Sequence, residues 1–267
     1  MPQTATLERA QALESAAGRL RQAYRTGPIE PLRDVLEPGD GRGAYEVQSI
    51  NTRFWLAEGR RIAGRKIGLT AEAVQRQFGV AQPDYGVLFA DMQVEDGGAL
   101  EARSALQPKV EAEVAIVLGR DLKNADATPD DVFAAADHAV AAIEIVDSRI
   151  GDWKITFADT VADNGSSAYF VLGAERRRLA GLDLRTCGMA LEVGGRVASL
   201  GAGVACMGHP LIAASWLART LAAAGEGLLA GDVLLTGSLG PMAAIAPGDL
   251  IEATIGGLGR ASFRFEP

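Results

Sequence analysis

Between Met1 and Arg25, Leu7, Leu13 and Leu20 stand among Glu, Arg and Gln, a pattern that predicts an amphipathic helix. After the turn signals Pro38-Gly39-Asp40-Gly41, a second helical pattern runs from Ala44 through Trp55 to Arg60. From Ile62 onward the rhythm changes to short β-rich segments punctuated by Gly and Pro. These include Lys109–Leu118, Val140–Val146, Phe170–Leu172, Met189–Val193, Val233–Leu235 and Leu250–Ile255. One strong helix interrupts them, with Pro210 in its first turn, Leu211, Ala214, Leu217, Ala218 and Leu221 on one face, and Gly225 as its stop. The pattern predicts an α+β fold of mixed or antiparallel strands, with a helical region over 1–62 and a β-rich region over 63–267. It contains no internal repeat and no long linker.

Val197 to Ala218 carries no Asp, Glu, Lys or Arg and is long enough to span a bilayer. Gly201, Gly203, Gly208, His209 and Pro210 break it in the middle, so a membrane span is not expected. The first 25 residues lack the basic start and continuous apolar core of a secretory signal, so a cytoplasmic protein is expected. The 267 residues are 48% hydrophobic and 22% charged, which suits a large globular domain and excludes disorder, collagen and coiled coil. A formal charge of −8 repels phosphate backbones and anionic lipid, so neither nucleic acid nor a membrane surface is an expected partner. Two cysteines and two histidines are too few for a disulfide scaffold or a Cys/His zinc cage, so any metal must sit mainly on oxygen.

Several apparent motifs dissolve on inspection. Gly39-Asp40-Gly41-Arg42-Gly43 has neither the spacing of a P-loop nor a strand before it, and reads as a turn. Ser166-Ser167 and Thr236-Gly237-Ser238 lack the glycines of a nucleophile elbow, which argues against a Ser-His-Asp hydrolase. His209, next to Pro210 at a helix start, reads as a cap or packing residue.

The carboxylates are harder to dismiss. Strand alternation over Lys109–Leu118 sends Glu111 and Glu113 to one face and Val110, Ala112, Val114 and Ile116 to the other. The glutamate face continues as Ala115 and Val117, so it turns apolar within two residues. A partly buried pair of like charges needs a cation. Glu144, between Ile143 and Ile145, is a third carboxylate inside a core-like strand. If the three converge, the all-oxygen ligand set suits Mg²⁺ or Mn²⁺, and an open divalent ion of that kind is a Lewis acid for an α-keto acid.

Gly64-Arg65-Lys66-Ile67-Gly68-Leu69-Thr70, Gln82-Pro83-Asp84-Tyr85-Gly86, Gln107-Pro108-Lys109-Val110-Glu111-Ala112-Glu113 and Glu144-Ile145-Val146-Asp147-Ser148-Arg149-Ile150 follow in that order. After them come Asp159-Thr160-Val161-Ala162-Asp163-Asn164-Gly165-Ser166-Ser167, Gly208-His209-Pro210 and Leu235-Thr236-Gly237-Ser238-Leu239-Gly240-Pro241. On these segments the chain resembles the 2-keto-4-pentenoate hydratase family, within the fumarylacetoacetate hydrolase superfamily. The resemblance implies a mixed β-sheet roll of the fumarylacetoacetate hydrolase C-terminal type over 63–267, preceded by the helical part. It implies a divalent metal, Mg²⁺ or Mn²⁺, on Glu111, Glu113 and Glu144, acid/base roles for Lys66 and Asp84, and substrate contacts at Ser166 and Thr236. Gly165 departs from the alanine common in the family, which is expected to loosen that loop. The implied reaction adds water to a small 2-hydroxydienoic acid, as in meta-cleavage breakdown of aromatic compounds. The alternatives are the sister activity, 4-oxalocrotonate decarboxylase, and acylpyruvate hydrolysis; Asp152-Trp153-Lys154-Ile155 followed by Asp159-Thr160-Val161 looks closer to the hydratases. Homo-oligomers, with the N-terminal helix as a contact, and association with neighbouring pathway enzymes are also implied.

Overall fold

The structure, a computed structural model, describes residues 2–267, with side chains from Leu7 onward; Met1, where the first predicted helix begins, lies outside them. Two helices open the chain, α1 (Pro2–Thr26) and α2 (Gly41–Ala57). There follow β1 (Ile62–Gly68), α3 (Glu72–Phe78), β2 (Asp84–Phe89), β3 (Gln93–Val94), β4 (Gly98–Glu101), β5 (Lys109–Leu118), α4 (Pro129–Ala135) and β6 (Ala136–Val146). The remainder is α5 (Phe157–Ala162), β7 (Ser167–Leu172), β8 (Gly188–Val193), β9 (Arg196–Ala202), α6 (Pro210–Ala223), β10 (Val233–Ser238), β11 (Ala243–Ala244), β12 (Leu250–Ile255) and β13 (Gly259–Glu266).

The strands form two mixed sheets. The larger has the order β2-β1-β10-β5-β6-β7-β3, with β11 added beside β5, and the smaller has the order β4-β13-β12-β8-β9. Strands β2 and β3 stand at opposite ends of the larger order, yet one turn over Ala90–Met92 joins them. The larger sheet must therefore curl until its ends meet, which makes it a roll. Alternation along β5 and β6 gives that roll two apolar faces. Val110, Ala112, Val114, Ile116, Ile143 and Ile145 pack outward on the smaller sheet and α6, while Ala115, Val140 and Ala142 line the inside with Phe89, Phe170 and Leu235. The face assigned from sequence to Glu111 and Glu113 is the inner one.

The N-terminal helices share their core with the roll's appendages. Leu13, Ala16, Leu20, Leu32, Leu36 and Val47 pack with Ile150, Phe157, Val161 and Ala162 around α5. Helix α2 begins at Gly41, inside the segment read as a turn, because Asp40 caps it by accepting from Gly43 N at 2.8 Å. It ends at Ala57, three residues before the expected limit. The uncharged stretch from Val197 divides into β9, a turn and α6, and among the described residues no helix is long and apolar enough to cross a membrane. His209 caps α6 as read, its Nδ1 accepting from Leu211 N at 3.0 Å.

Candidate functional site

Strands β5 and β6 pair antiparallel with Glu111 directly opposite Glu144, and Glu113 stands two residues along on the same inner face. Each of the three offers a carboxylate oxygen within 4.8 Å of the other two. Glu113 and Glu144 are fully buried. Among the described residues, one oxygen of Glu113 and both of Glu144 have no hydrogen-bond partner. Burial, then Glu144, pushes Glu111 up to about 7; burial and its neighbours Glu144 and Glu111 raise Glu113 well above the usual carboxylate range. Burial raises Glu144 as well, against the pull of Lys66.

A defect in the sheet holds Glu113. Between Leu235 and Ser238, β10 carries one residue more than β5 opposite it, a β-bulge at Thr236-Gly237. Gly237, at φ 111°, turns its N–H inward to Glu113 Oε2 at 2.8 Å. The Thr236 hydroxyl then supplies the donor that Val114's carbonyl would otherwise lack, at 2.9 Å. Gly237 has no alternative residue here, since a Cβ would lie 2.4 Å from Thr70.

Lys66 and Asp84 approach from β1 and β2. Lys66 is 3% exposed and Asp84 1%, and Lys66 Nζ lies 3.4 Å from Glu144 Oε1. Gly68, opposite Asp84 in the register, leaves bare backbone under both: a Cβ there would be 2.2 Å from Asp84 Oδ1 and 3.2 Å from Lys66 Nζ. Burial works against the Lys66 charge, but Glu144 and Asp84 outweigh it, so the ammonium is held more tightly than usual. Burial raises Asp84, and Lys66 opposes it.

The turn after α5 completes the wall. Asn164, Gly165 and Ser166 all have positive φ, near 60°, an uncommon run for residues other than glycine. The Asn164 side chain pairs with both backbone groups of Val87, accepting from its N–H at 2.7 Å and donating to its carbonyl at 2.9 Å. That substitutes for a strand along the free edge of β2. Gly165 leaves no slack, because the space of its missing Cβ is filled by Lys66, whose Cε would lie 2.6 Å away. The Ser166 hydroxyl is buried and reaches Thr160 Oγ1 at 3.3 Å and Asp163 Oδ2 at 3.4 Å. Below it lies a buried ion pair that sequence reasoning did not isolate. Arg149 Nε donates to Asp163 Oδ1 at 2.6 Å and Nη2 to its carbonyl at 2.7 Å. Its only sequence signal was a charged pair of residues, Asp147 and Arg149, inside an apolar run.

The structure thus brings Lys66, Asp84, Glu111, Glu113 and Glu144 to one end of the roll, with Ser166 and Thr236 bordering them and their hydroxyls bonded to protein atoms. A cavity of about 320 Å³ between α2 and the roll touches Asp163, Asn164 and Ser167, but none of the three glutamates lines it.

Residues 66–266 match the fumarylacetoacetate (FAA) hydrolase C-terminal family. The chain is 54% identical to 2-keto-4-pentenoate hydratase 2 of Dechloromonas aromatica, over 94% of this chain and 97% of the relative. The chain belongs to the 2-keto-4-pentenoate hydratase family. A second member, the 2-keto-4-pentenoate hydratase of Burkholderia vietnamiensis, is 52% identical, over 94% of this chain and 97% of its own. Among solved structures, 4-oxalocrotonate decarboxylase from Pseudomonas putida G7, complexed with magnesium and adipate, superposes with a TM-score of 0.91 at 37% identity, covering 96% of this chain and 98% of the other. Family membership agrees with the donor set: hard carboxylate oxygens, buried together and partly unpaired, fit a divalent cation better than they fit one another.

Proposed function

We propose that the protein is a metal-dependent hydro-lyase that adds water to 2-hydroxypenta-2,4-dienoate, giving 4-hydroxy-2-oxopentanoate in meta-cleavage catabolism of aromatic compounds. The observation that carries this reading is the convergence of Glu111, Glu113 and Glu144 with Lys66 and Asp84 at one end of the roll, in a chain whose curated relatives are hydratases. The glutamates would hold Mg²⁺ or Mn²⁺, which when bound supplies Lewis-acid polarisation of the 2-oxo acid end. Protonation at C5 turns the dienol into a 2-oxo-3-enoate, water adds at C4, and C3 takes the last proton. Asp84, buried and raised, exchanges protons with the substrate carbons and the attacking water. Lys66 stays charged beside it and favours negative charge on the C2 oxygen as water adds. The Asn164–Ser166 turn fixes the Lys66 side chain from behind. Ser166 and Thr236 border the substrate, each exchanging a protein partner for it.

A homo-oligomer in contact through α1, association with neighbouring pathway enzymes and a cytoplasmic location belong to the same proposal. Competition between substrates tests the reaction. With Mg²⁺, kcat/KM for loss of dienoate absorbance should exceed that for CO₂ release from 4-oxalocrotonate; the reverse order would make the protein a decarboxylase.

A further inference from the structure

Lys109 is a charged residue on the inner face of β5 to which the reaction above gives no task. Alternation puts it on the same side as Glu111 and Glu113, at the open end of the cluster, and it is close enough to Glu111 to favour that residue's ionised form. Lys66 approaches the cluster from the other side, across β10. Lys109 is half-buried and forms no salt bridge among the described residues. Its Nζ lies instead 4.3 Å from the centre of the Trp153 ring. Trp153 is held rigidly to meet it. The indole N–H donates to the Gln107 carbonyl at 3.0 Å, and Asp152 and Trp153 both adopt φ 55°. Two successive non-glycine residues in the left-handed region persist only where their surroundings enforce them.

A ring face is a weak partner for an ammonium, and a carboxylate is a stronger one. The charge balance of the site points the same way. With a divalent ion bound and Asp84, Glu111, Glu113 and Glu144 all ionised, four carboxylates against the ion and one ammonium, Lys66, would leave one negative charge in excess. An acid substrate adds another, and Lys109 removes the excess before it arrives.

We propose that Lys109 is a substrate-binding residue whose ammonium moves from the Trp153 ring to the carboxylate of the bound 2-oxo acid. The inference rests on the metal-dependent reading of the glutamate cluster, and it adds a cation that recognises the anionic end of the substrate. Oxalate, a planar dicarboxylate that resembles that end, probes it without turnover. In the Mg²⁺-loaded full-length protein, Lys109→Met should lower oxalate affinity by about 10-fold or more while leaving Mg²⁺ affinity within about 3-fold; Lys109→Arg should recover most of the loss. Oxalate should change the tryptophan emission of the parent and leave that of Trp153→Phe unchanged. With the dienoate, Lys109→Met should raise KM far more than it lowers kcat. Unchanged oxalate affinity in Lys109→Met would overturn the proposal. So would a loss of Mg²⁺ affinity as large as the loss for oxalate, because Lys109 would then serve only the glutamates. A parent that binds Mg²⁺ and oxalate but hydrates no dienoate would overturn the hydratase reading, and the oxalate data would still decide the role of Lys109.

Discussion

Glu111 is the least buried of the three glutamates, and its proton can be followed near neutrality. Burial and then Glu144 push its pKa up from the ordinary range to about 7. For an acid raised on folding, the associated stability is complete below the ordinary carboxylate range and is lost as pH rises through about 7. A divalent cation binds the ionised form and relieves that repulsion. Mg²⁺ should therefore raise Tm more at about pH 8 than at about pH 6, and thermal unfolding with and without the ion at both pH values reads the difference. Equal shifts would remove Glu111 from the metal site. Glu111→Gln, Glu113→Gln and Glu144→Gln should each weaken Mg²⁺ binding in calorimetry and abolish turnover. Lys66→Met should leave Mg²⁺ binding nearly intact and slow the chemical step by roughly 10² or more, as loss of a positioned charge does.

At the scale of elements, the site depends on irregularities in otherwise regular strands. The bulge at Thr236-Gly237 turns one N–H toward Glu113, and the left-handed turn at Asn164–Ser166 ties β2 to the segment entering β7. Neither was legible in the sequence. A bulge shifts no residue type, and Gly165 was read as slack because its contact with Lys66 comes from a strand about a hundred residues earlier. What was legible is what alternation encodes. The strand Lys109–Leu118 was read with both its limits and with Glu111 and Glu113 on one face, whereas the register that sets Glu111 opposite Glu144 came only with the structure. Strand β1 was missed because Arg65, Lys66 and its glycines erase the alternation; Lys66 and Gly68 lie at the site, while Arg65 pairs with Glu226 and Gly64 makes room for the backbone of Val233. Beneath the turn, Arg149 and Asp163 are almost fully buried together. Arg149→Met leaves that carboxylate uncompensated and should cost about 3–5 kcal/mol in chemical denaturation. Asp163 gaining its proton more readily would soften the loss as pH falls, since burial already raises it to about 6.

Over the whole molecule, helices α1 and α2 share a core with the segment around α5. Leu13, Leu20, Leu36 and Val47 pack on Phe157 and Val161, and Asp159 accepts from Leu32 N at 2.8 Å. We propose that the boundary near residue 62 is one of shape alone, so calorimetry should show a single unfolding transition; two separated transitions would make the helices an independent unit. The α+β class was legible in the helical and strand patterns, and the roll in the family motifs that run through the chain in order. The order of strands around that roll was not, because it is set by which distant strands meet. Isotope labelling reads the addition of water at the carbon that receives it. In H₂¹⁸O with 2-hydroxypenta-2,4-dienoate and Mg²⁺, followed by prompt reduction of the ketone and mass spectrometry, the label should be found on C4 with no CO₂ released. A product without label on C4, or carbon lost as CO₂, would contradict it.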